Sequence, residues 1–179
     1  MAITTRKTSI VLDADVIIHF NKGGHFFTLL DIFPEYEYII LDVVYNELHK
    51  YSQTRQMVNN AEGWLKKKVS THKFSPKGQS IRDYAILKST KGTGESACMI
   101  YCRDNHHVLG SSNIKDIQDF CKLHGITYLT TLDFLYYAFV REKMTREECN
   151  NFIVTVKSKN SYLPKDVSDI ATYFPNVTL

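Results

Sequence analysis

The sequence predicts an α/β fold in which helices cover both faces of a central parallel sheet, and three observations carry that expectation. Short apolar runs alternate along the chain with longer segments of helical period. The runs are apolar throughout, as buried parallel strands require, with little of the in-out alternation of a half-solvated strand. Their ends carry polar residues (Asp13, Asp42 and the turn from Ser111 to Asp116), placing the chemistry at the carboxyl edge of the sheet.

The elements follow in order. Residues 9–12 (SIVL) read as a strand ending at Asp13, and a helix follows that Asn21, Lys22, Gly23 and Gly24 break. Residues 25–33 form a second apolar segment closed by Pro34. Residues 38–41 are the next strand, with Asp42 able to cap a helix that carries Glu47 in its early turns. From Ser52 to Lys68 the pattern is helical but polar, with a thin stripe of Met57, Ala61, Trp64 and Leu65. The tract STHKFSPKGQS reads as loop, and residues 81–87 as a short element. A helix from Gly94 to about Asp104 follows, its start marked by Thr93 and its core face by Ala97, Cys98, Tyr101 and Cys102. HHVLG is a strand, residues 114–123 a helix stopped by Gly125, and ITYLTT the last strand. Helices fill the tail at 132–143 and after a capping box of Thr145 and Glu148, where Cys149, Phe152, Ile153 and Val156 share one face. A final helix is expected to start near Pro164.

At 179 residues the chain fits one domain, with a basic, mostly helical insertion at about 50–91 and a helical C-terminal extension at about 144–179. A polar N-terminus and the lack of any apolar run near 20 residues argue against a secretory signal or a membrane span, so a cytoplasmic location is expected. The four cysteines form no CxxC pair and read as buried free thiols. Net charge is only +3, but residues 50–91 hold ten basic side chains against Glu62 and Asp83, a net +8 that leaves the remainder at −5. Such separation suits a polyanion, with Lys66, Lys67, Lys68 and Arg82 as contacts and Tyr51, Trp64, Phe74 and Tyr84 as stacking surfaces. The bland reading is a solvated helical face with its aromatics turned inward.

Two carboxylates two apart at the end of an apolar strand, as in LDADV, are costly to bury without a partner. Glu47 and Glu95 sit in similarly apolar helical starts, and either alone could simply favour a helix N-terminus. Together, acids converging on Asp13 repel one another, and a hard divalent cation with a preference for oxygen relieves that repulsion. His106 and His107 open a strand at the end opposite the acids. No Ser-His-Asp or Cys-His arrangement follows from spacing.

The segments IVLDADVII, LDVVYNEL, GTGESACMIYCRDNHHVLGSSN and GITYLTTLDFL together resemble the PIN domains, and the tail REKMTREECNNFIVTVKSKNSYLP is similar to the helical extension of PIN subfamilies with a GE third acid. The resemblance runs from Ser9 to about Leu48 and from Gly92 onward, leaving residues 50–91 outside it. It implies a PIN-like three-layer sandwich, Mg²⁺ or Mn²⁺ as cofactor, and endonucleolytic cleavage of single-stranded RNA. Such domains often act as the toxin of a toxin–antitoxin pair, for which the partner would be an antitoxin protein; RNA and a second copy of the chain are the other expected partners. Asp13, Glu47 and Glu95 match the family's three most constant acids, and Asp15 matches a position usually small and polar. Many PIN domains place an Asp directly after the strand equivalent to HHVLG, where this chain has Ser111, Ser112 and Asn113. Others place it about three residues later, which makes Asp116 the expected fourth ligand, with Asn113 holding ligand or water and Ser112 and Asp15 supporting it. Two other readings compete: an RNA-binding or protein-interaction module on the same scaffold with weak catalysis, and a phosphohydrolase of the haloacid dehalogenase type, suggested by LDADVI.

Overall fold

The segment SIVL forms the central strand β1 (Ser9–Leu12), and all four of its residues are buried. A strand with apolar side chains on both faces must be covered on both, and the sheet around it meets that demand. In the computed structural model, which describes residues 8–50, 52–163, 166–175 and 177 with the side chains at 53, 57, 61, 62 and 64–67 left aside, five strands run parallel in the order β3-β2-β1-β4-β5. Strand β2 is Glu37–Leu41, β3 Val69–His72, β4 Val108–Gly110 and β5 Tyr128–Leu129. Register is regular: Ile10 pairs with Tyr38 on one side and Val108 on the other.

The chain winds outward from β1 to β2 and β3, then crosses back to β4 and β5. Right-handed crossovers in opposite directions put their helices on opposite faces. Helix α1 (Ala14–Lys22) packs with α2 (Phe26–Leu29), α4 (Ser52–Lys68), α8 (Thr131–Val140) and α9 (Arg146–Ser158). Helix α6 (Thr93–Asn105) packs with α5 (Gln79–Lys88), α7 (Ile114–His124) and strands β1, β2 and β4. The short α3 (Asp42–Leu48) touches both α1 and α6. It thus bridges the two layers at the carboxyl edge of the sheet. The expected three-layer α/β sandwich is therefore present. Among the described residues no helix is long and apolar enough to cross a membrane.

Several local expectations are corrected. The tract read wholly as loop begins in an edge strand, because Ser70, Thr71 and His72 pair with β2. Its polar side chains are tolerated where one flank of the strand faces solvent, and a hydrophobic pattern alone does not reveal it. The helix expected from Pro164 does not form among the described residues, which contain only a 3-10 turn, Ile170–Thr172. There the Asp169 carboxylate accepts from the Ala171 N–H and pairs with Arg146 and Asn150, so side-chain bonding to α9 displaces the helical ladder. Residues 164 and 165 lie outside the described set. Asp42 is the first residue of α3 rather than its cap, and its Oδ1 accepts from both Val43 and Phe74 N–H at 2.9 Å.

Other expectations hold. Gly125 stops α7 with φ 63°, and the Thr145–Glu148 capping box opens α9. The α9 face of Cys149, Phe152, Ile153 and Val156 is buried, and all four cysteines are free and buried. Helix α9 is seated by Phe152 lying over Gly23, where an added Cβ would stand 2.2 Å from the ring. The stripe of Met57, Ala61, Trp64 and Leu65, and the Lys66 and Lys67 side chains, fall outside the described residues.

Candidate active site

The strand order reverses between β1 and β4, so the loops leaving them diverge and open a crevice at the carboxyl edge. Asp13 sits in that crevice. Its N–H donates to Gly110 O at 2.8 Å, extending the β1–β4 pairing by one bond, and its Oδ1 accepts from the Ala14 N–H at 2.8 Å as the N-cap of α1. The remaining oxygen, Oδ2, has among the described residues only the Ser111 hydroxyl, at 3.5 Å. Asp15 lies one step further along α1. Its Oδ1 accepts from Val16 N–H at 2.6 Å and its Oδ2 from Ser112 N–H at 2.7 Å.

Glu47 arrives from α3, whose last turn it occupies rather than an early one. A preference for the positive end of its own helix therefore does not explain it. Its Oε1 accepts from the Gly94 N–H at 2.9 Å, satisfying one of the unpaired donors at the start of α6. Gly94 makes this approach feasible: a Cβ there would lie 2.5 Å from Glu47 Oε2 and 3.2 Å from Val44 Cγ2. The cap of α6 is Gly92 rather than Thr93, and Glu95 occupies the first turn, 5% exposed.

Asp13, Asp15, Glu47 and Glu95 line one cleft of about 390 Å³ together with Asn113, Lys50 and Gly92. Their fields overlap. Burial raises the Asp13 carboxyl well above the usual range, and the charges of Asp15, Glu95 and Glu47 push it the same way, against the Ala14 hydrogen bond. Glu95 is raised to about 7, first by burial and then by Asp116, while an Asn113 hydrogen bond and Lys91 oppose the shift. Asp15 is raised to about 6 by burial, countered mainly by its bonds from Ser112 and Val16.

Asp116 stands at the outer margin. Its Oδ1 faces Lys91 Nζ at 3.3 Å, its Oδ2 accepts from Asn113 Nδ2 at 2.5 Å, and it is not among the residues lining the cleft. Asn113, which bonds Asp116 and faces Glu95, lines the cleft in its place. Ser112 is 4% exposed and bonds Asp15 through its N–H. The structure thus brings Asp13, Asp15, Glu47, Glu95 and Asn113 together, with Ser112 behind them and Asp116 beside them.

The oxygen-rich donor set fits a hard divalent cation, since among the described residues no thiol or imidazole lines the cleft. Among the described residues, however, no group of three His, Cys, Asp or Glu side chains is arranged to hold a metal ion as the side chains stand. Asp13, Asp15 and Glu47 each give one or both oxygens to a backbone N–H.

Of the basic residues favoured from sequence, Lys68 is exposed at the far end of α4 and pairs with Asp31 at 2.8 Å. Arg82 is exposed on α5, whose neighbour Ser80 bonds Asp104 at the end of α6 remote from Glu95. Lys50, at the start of the basic segment, lines the cleft. His19, one of several scattered histidines in the sequence, is buried and hydrogen-bonds Thr131. Its available signal was spacing: it lies four residues after Asp15 and so on the same face of α1. His107 lies away from the acids, its Nδ1 accepting from Ser9 N–H at 3.2 Å at the start of β1.

No family model matches the chain, and no curated protein matches it. Among solved structures, a chain of a DNA-bound VapBC complex from Salmonella typhimurium aligns over 69% of this chain and 98% of its own length. The two are 12% identical with a TM-score of 0.49, a likeness that lends no weight to any particular activity.

Proposed function

We propose that the chain is a metal-dependent endoribonuclease of the PIN type that cleaves single-stranded RNA in the cleft of Asp13, Glu47 and Glu95, with Asp116 as the fourth acid. One observation carries this reading: Asp13 and Asp15 from the start of α1, Glu47 from α3 and Glu95 from α6 line a single cleft at the crevice between β1 and β4. A bound Mg²⁺ or Mn²⁺ would lower the pKa of a water and offset charge on a phosphodiester. The protein's part is to hold the acids. Asp13 is fixed by the β1–β4 ladder and its cap bond, Glu47 by Gly94, and Glu95 by the first turn of α6. Asn113 carries the influence of Asp116 to the cleft, and Lys50 offers a cation to a phosphate at its rim.

The sequence resemblance to PIN domains supports the same reading. In it the chain is one domain with a basic RNA-facing insertion, including Lys66, Lys67, Lys68 and Arg82, and a helical extension. It acts in the cytoplasm, with an antitoxin protein and a second copy of itself as partners. Glu47 and Glu95 on the cleft wall, and the Ser111–Asn113 turn where a haloacid dehalogenase-type enzyme needs an acidic pair, disfavour the phosphohydrolase alternative.

A second reading is an RNA-binding module without cleavage, favoured by the commitment of Asp116 to Lys91 and by the dispersed oxygens of the cleft. Incubation with labelled single-stranded RNA and Mn²⁺, with EDTA as control, separates the two. Metal-dependent cleavage that Asp13→Asn removes supports the nuclease. Salt-sensitive binding with intact RNA supports the module.

A further inference from the structure

Behind the cleft wall runs a chain of buried polar groups that neither the fold nor the acidic ligands account for. His19 Nδ1 lies 2.8 Å from Thr131 Oγ1, which lies 2.7 Å from Ser112 Oγ. The Thr131 N–H donates to the same Ser112 oxygen at 2.8 Å, and the Ser112 N–H donates to Asp15 Oδ2 at 2.7 Å. Next to it the Ser111 hydroxyl reaches Asp13 and Asp15 at 3.5 and 3.4 Å. His19, Ser111, Ser112 and Thr131 are all at most 6% exposed. The chain begins and ends on α1, since Asp15 and His19 are one turn apart, and passes through the first residue of α8 and the turn after β4.

We propose that His19, Thr131 and Ser112 form a positioning relay that fixes the Ser111–Ser112 turn and, through the Ser112 amide, the Asp15 carboxylate in the cleft. A hydroxyl between two partners has one proton to give. Thr131 either donates to the imidazole and accepts from Ser112 or does the reverse, so each arrangement makes every link directional. Fixing Ser112 Oγ with two bonds fixes its backbone, and with it the N–H aimed at Asp15. Beside the Ser112 amide at 2.7 Å, the Asp15 side chain has the local Val16 amide at 2.6 Å and the longer contact from the Ser111 hydroxyl at 3.4 Å. Burial holds the His19 imidazole neutral, lowered to about 4, which keeps one ring nitrogen able to accept. Among the described residues His19 and Thr131 make no hydrogen bond to an acid of the cleft; they act through Ser112. The relay's value to catalysis rests on the metal-site reading above, but its geometry does not.

The test uses the metal-free full chain first. Thr131→Val removes the hydroxyl while keeping the shape, Thr131→Ser keeps it, and His19→Phe removes the ring nitrogens. The Ser112 amide is followed by ¹H–¹⁵N NMR. The relay predicts an upfield shift and exchange at least tenfold faster, on the order of the loss of one bond to a charged acceptor, in Thr131→Val and His19→Phe, with Thr131→Ser like wild type. An unchanged Ser112 amide in both variants overturns it, as does a Thr131→Ser variant that behaves like Thr131→Val. Ser112→Ala supplies the same comparison, read at the Asp15 carboxyl carbon, should Thr131→Val fail to fold. Mn²⁺ affinity is then measured by calorimetry, where removing an orienting group costs about tenfold or more. Wild-type protein that ignores Mn²⁺ while the amide responds as expected sinks the metal reading and leaves the relay standing.

Discussion

Two carboxylates in this molecule are almost equally buried and have opposite surroundings. Asp133, 1% exposed at the start of α8, accepts from the Thr130 N–H and hydroxyl, both at 2.7 Å, and from the Tyr173 hydroxyl at 2.8 Å. Asp13, 6% exposed, has one firm side-chain bond and faces three other acids. The first carboxylate is saturated by donors and pins the C-terminal segment to α8. The second is left with an oxygen and a repulsive neighbourhood, a condition the fold tolerates at a cost. Burial alone therefore says little about function, whereas the balance of donors against like charges separates a structural acid from a functional one.

The strongest test of this contrast exchanges the two. Asn is as good an N-cap as Asp, so Asp13→Asn keeps the Ala14 bond and removes a charge that its neighbours oppose. It is expected to abolish RNA cleavage while raising the stability of metal-free protein by about 1 kcal/mol. Asp133→Ala strands the Thr130 N–H, removes the carboxylate bond of the Tyr173 hydroxyl and is expected to cost about 3 kcal/mol, with cleavage per folded molecule unchanged. Chemical denaturation and a cleavage assay on both variants decide the matter. A destabilised Asp13→Asn would mean that Asp13 is structural after all.

The next test moves Glu47 without touching it. Gly94→Ala places a methyl group where Glu47 Oε2 now lies, and the flexible carboxylate must yield because Val44 is also close. Cleavage is expected to fall about tenfold to a hundredfold, while stability changes by less than about 1 kcal/mol because alanine favours the helix. Gly92→Ala is the control, since its Cβ would meet only Glu95 Cβ at 3.8 Å. Equal activity in the two variants would free Glu47 of any role.

The architecture was legible because the strands are apolar on both faces and strand ends and helix caps have definite residue types. SIVL at β1, Gly125 at φ 63° and the Thr145–Glu148 box are local signals that survive packing. Edge strand β3 was not legible, because VSTH forms by pairing with β2 and carries no pattern of its own. Asp13 could be chosen from a strand end and Glu95 from a helix start, whereas Glu47, expected in an early turn, lies in the last turn of α3. The place of Asp15 on its wall, and of Asp116 beside Lys91, depends on how a turn of three residues is held from behind by Thr131 and His19, which are remote in sequence. Gly94 shows the same limit: a GE pair reads as a motif, but its reason is a carboxylate that arrives from α3.

A smaller effect links the cleft to pH. Glu95 is raised to about 7 and Asp15 to about 6, so the folded metal-free protein binds more protons than the unfolded chain between about pH 4 and 7. These groups stabilise fully below their unfolded values, and that contribution is lost as pH rises through about 6 to 7. His19, lowered to about 4, works the other way: its contribution is present above about 6.5 and is lost as pH falls toward 4. The acids are isolated by comparison with Glu95→Gln, whose unfolding temperature is expected to fall less between pH 6 and 8. Mn²⁺ competes with those protons, so its stabilisation is expected to be several degrees at pH 8 and to shrink below pH 6.5. Stabilisation independent of pH would place the ion elsewhere.

The smallest effect asks which part of the basic segment meets RNA. Lys68 pairs with Asp31, both about half exposed, and such a pair contributes only about 0 to 1 kcal/mol, so it can exchange Asp31 for a phosphate. It nevertheless sits at the far end of α4, about 24 Å along the helix from Ser52 at 1.5 Å per residue. Lys50 is at the near end and on the cleft. Lys50→Gln is therefore expected to weaken binding of a short single strand about tenfold, and Lys68→Glu about twofold. On strands long enough to reach both ends of α4, Lys68→Glu should also lower the slope of log affinity against log salt by roughly 0.7, the value for one lost contact. A short strand more sensitive to Lys68 than to Lys50 would reverse the assignment: the acids would then be a pole apart from the RNA path, and the cleft would lose its claim to the scissile bond.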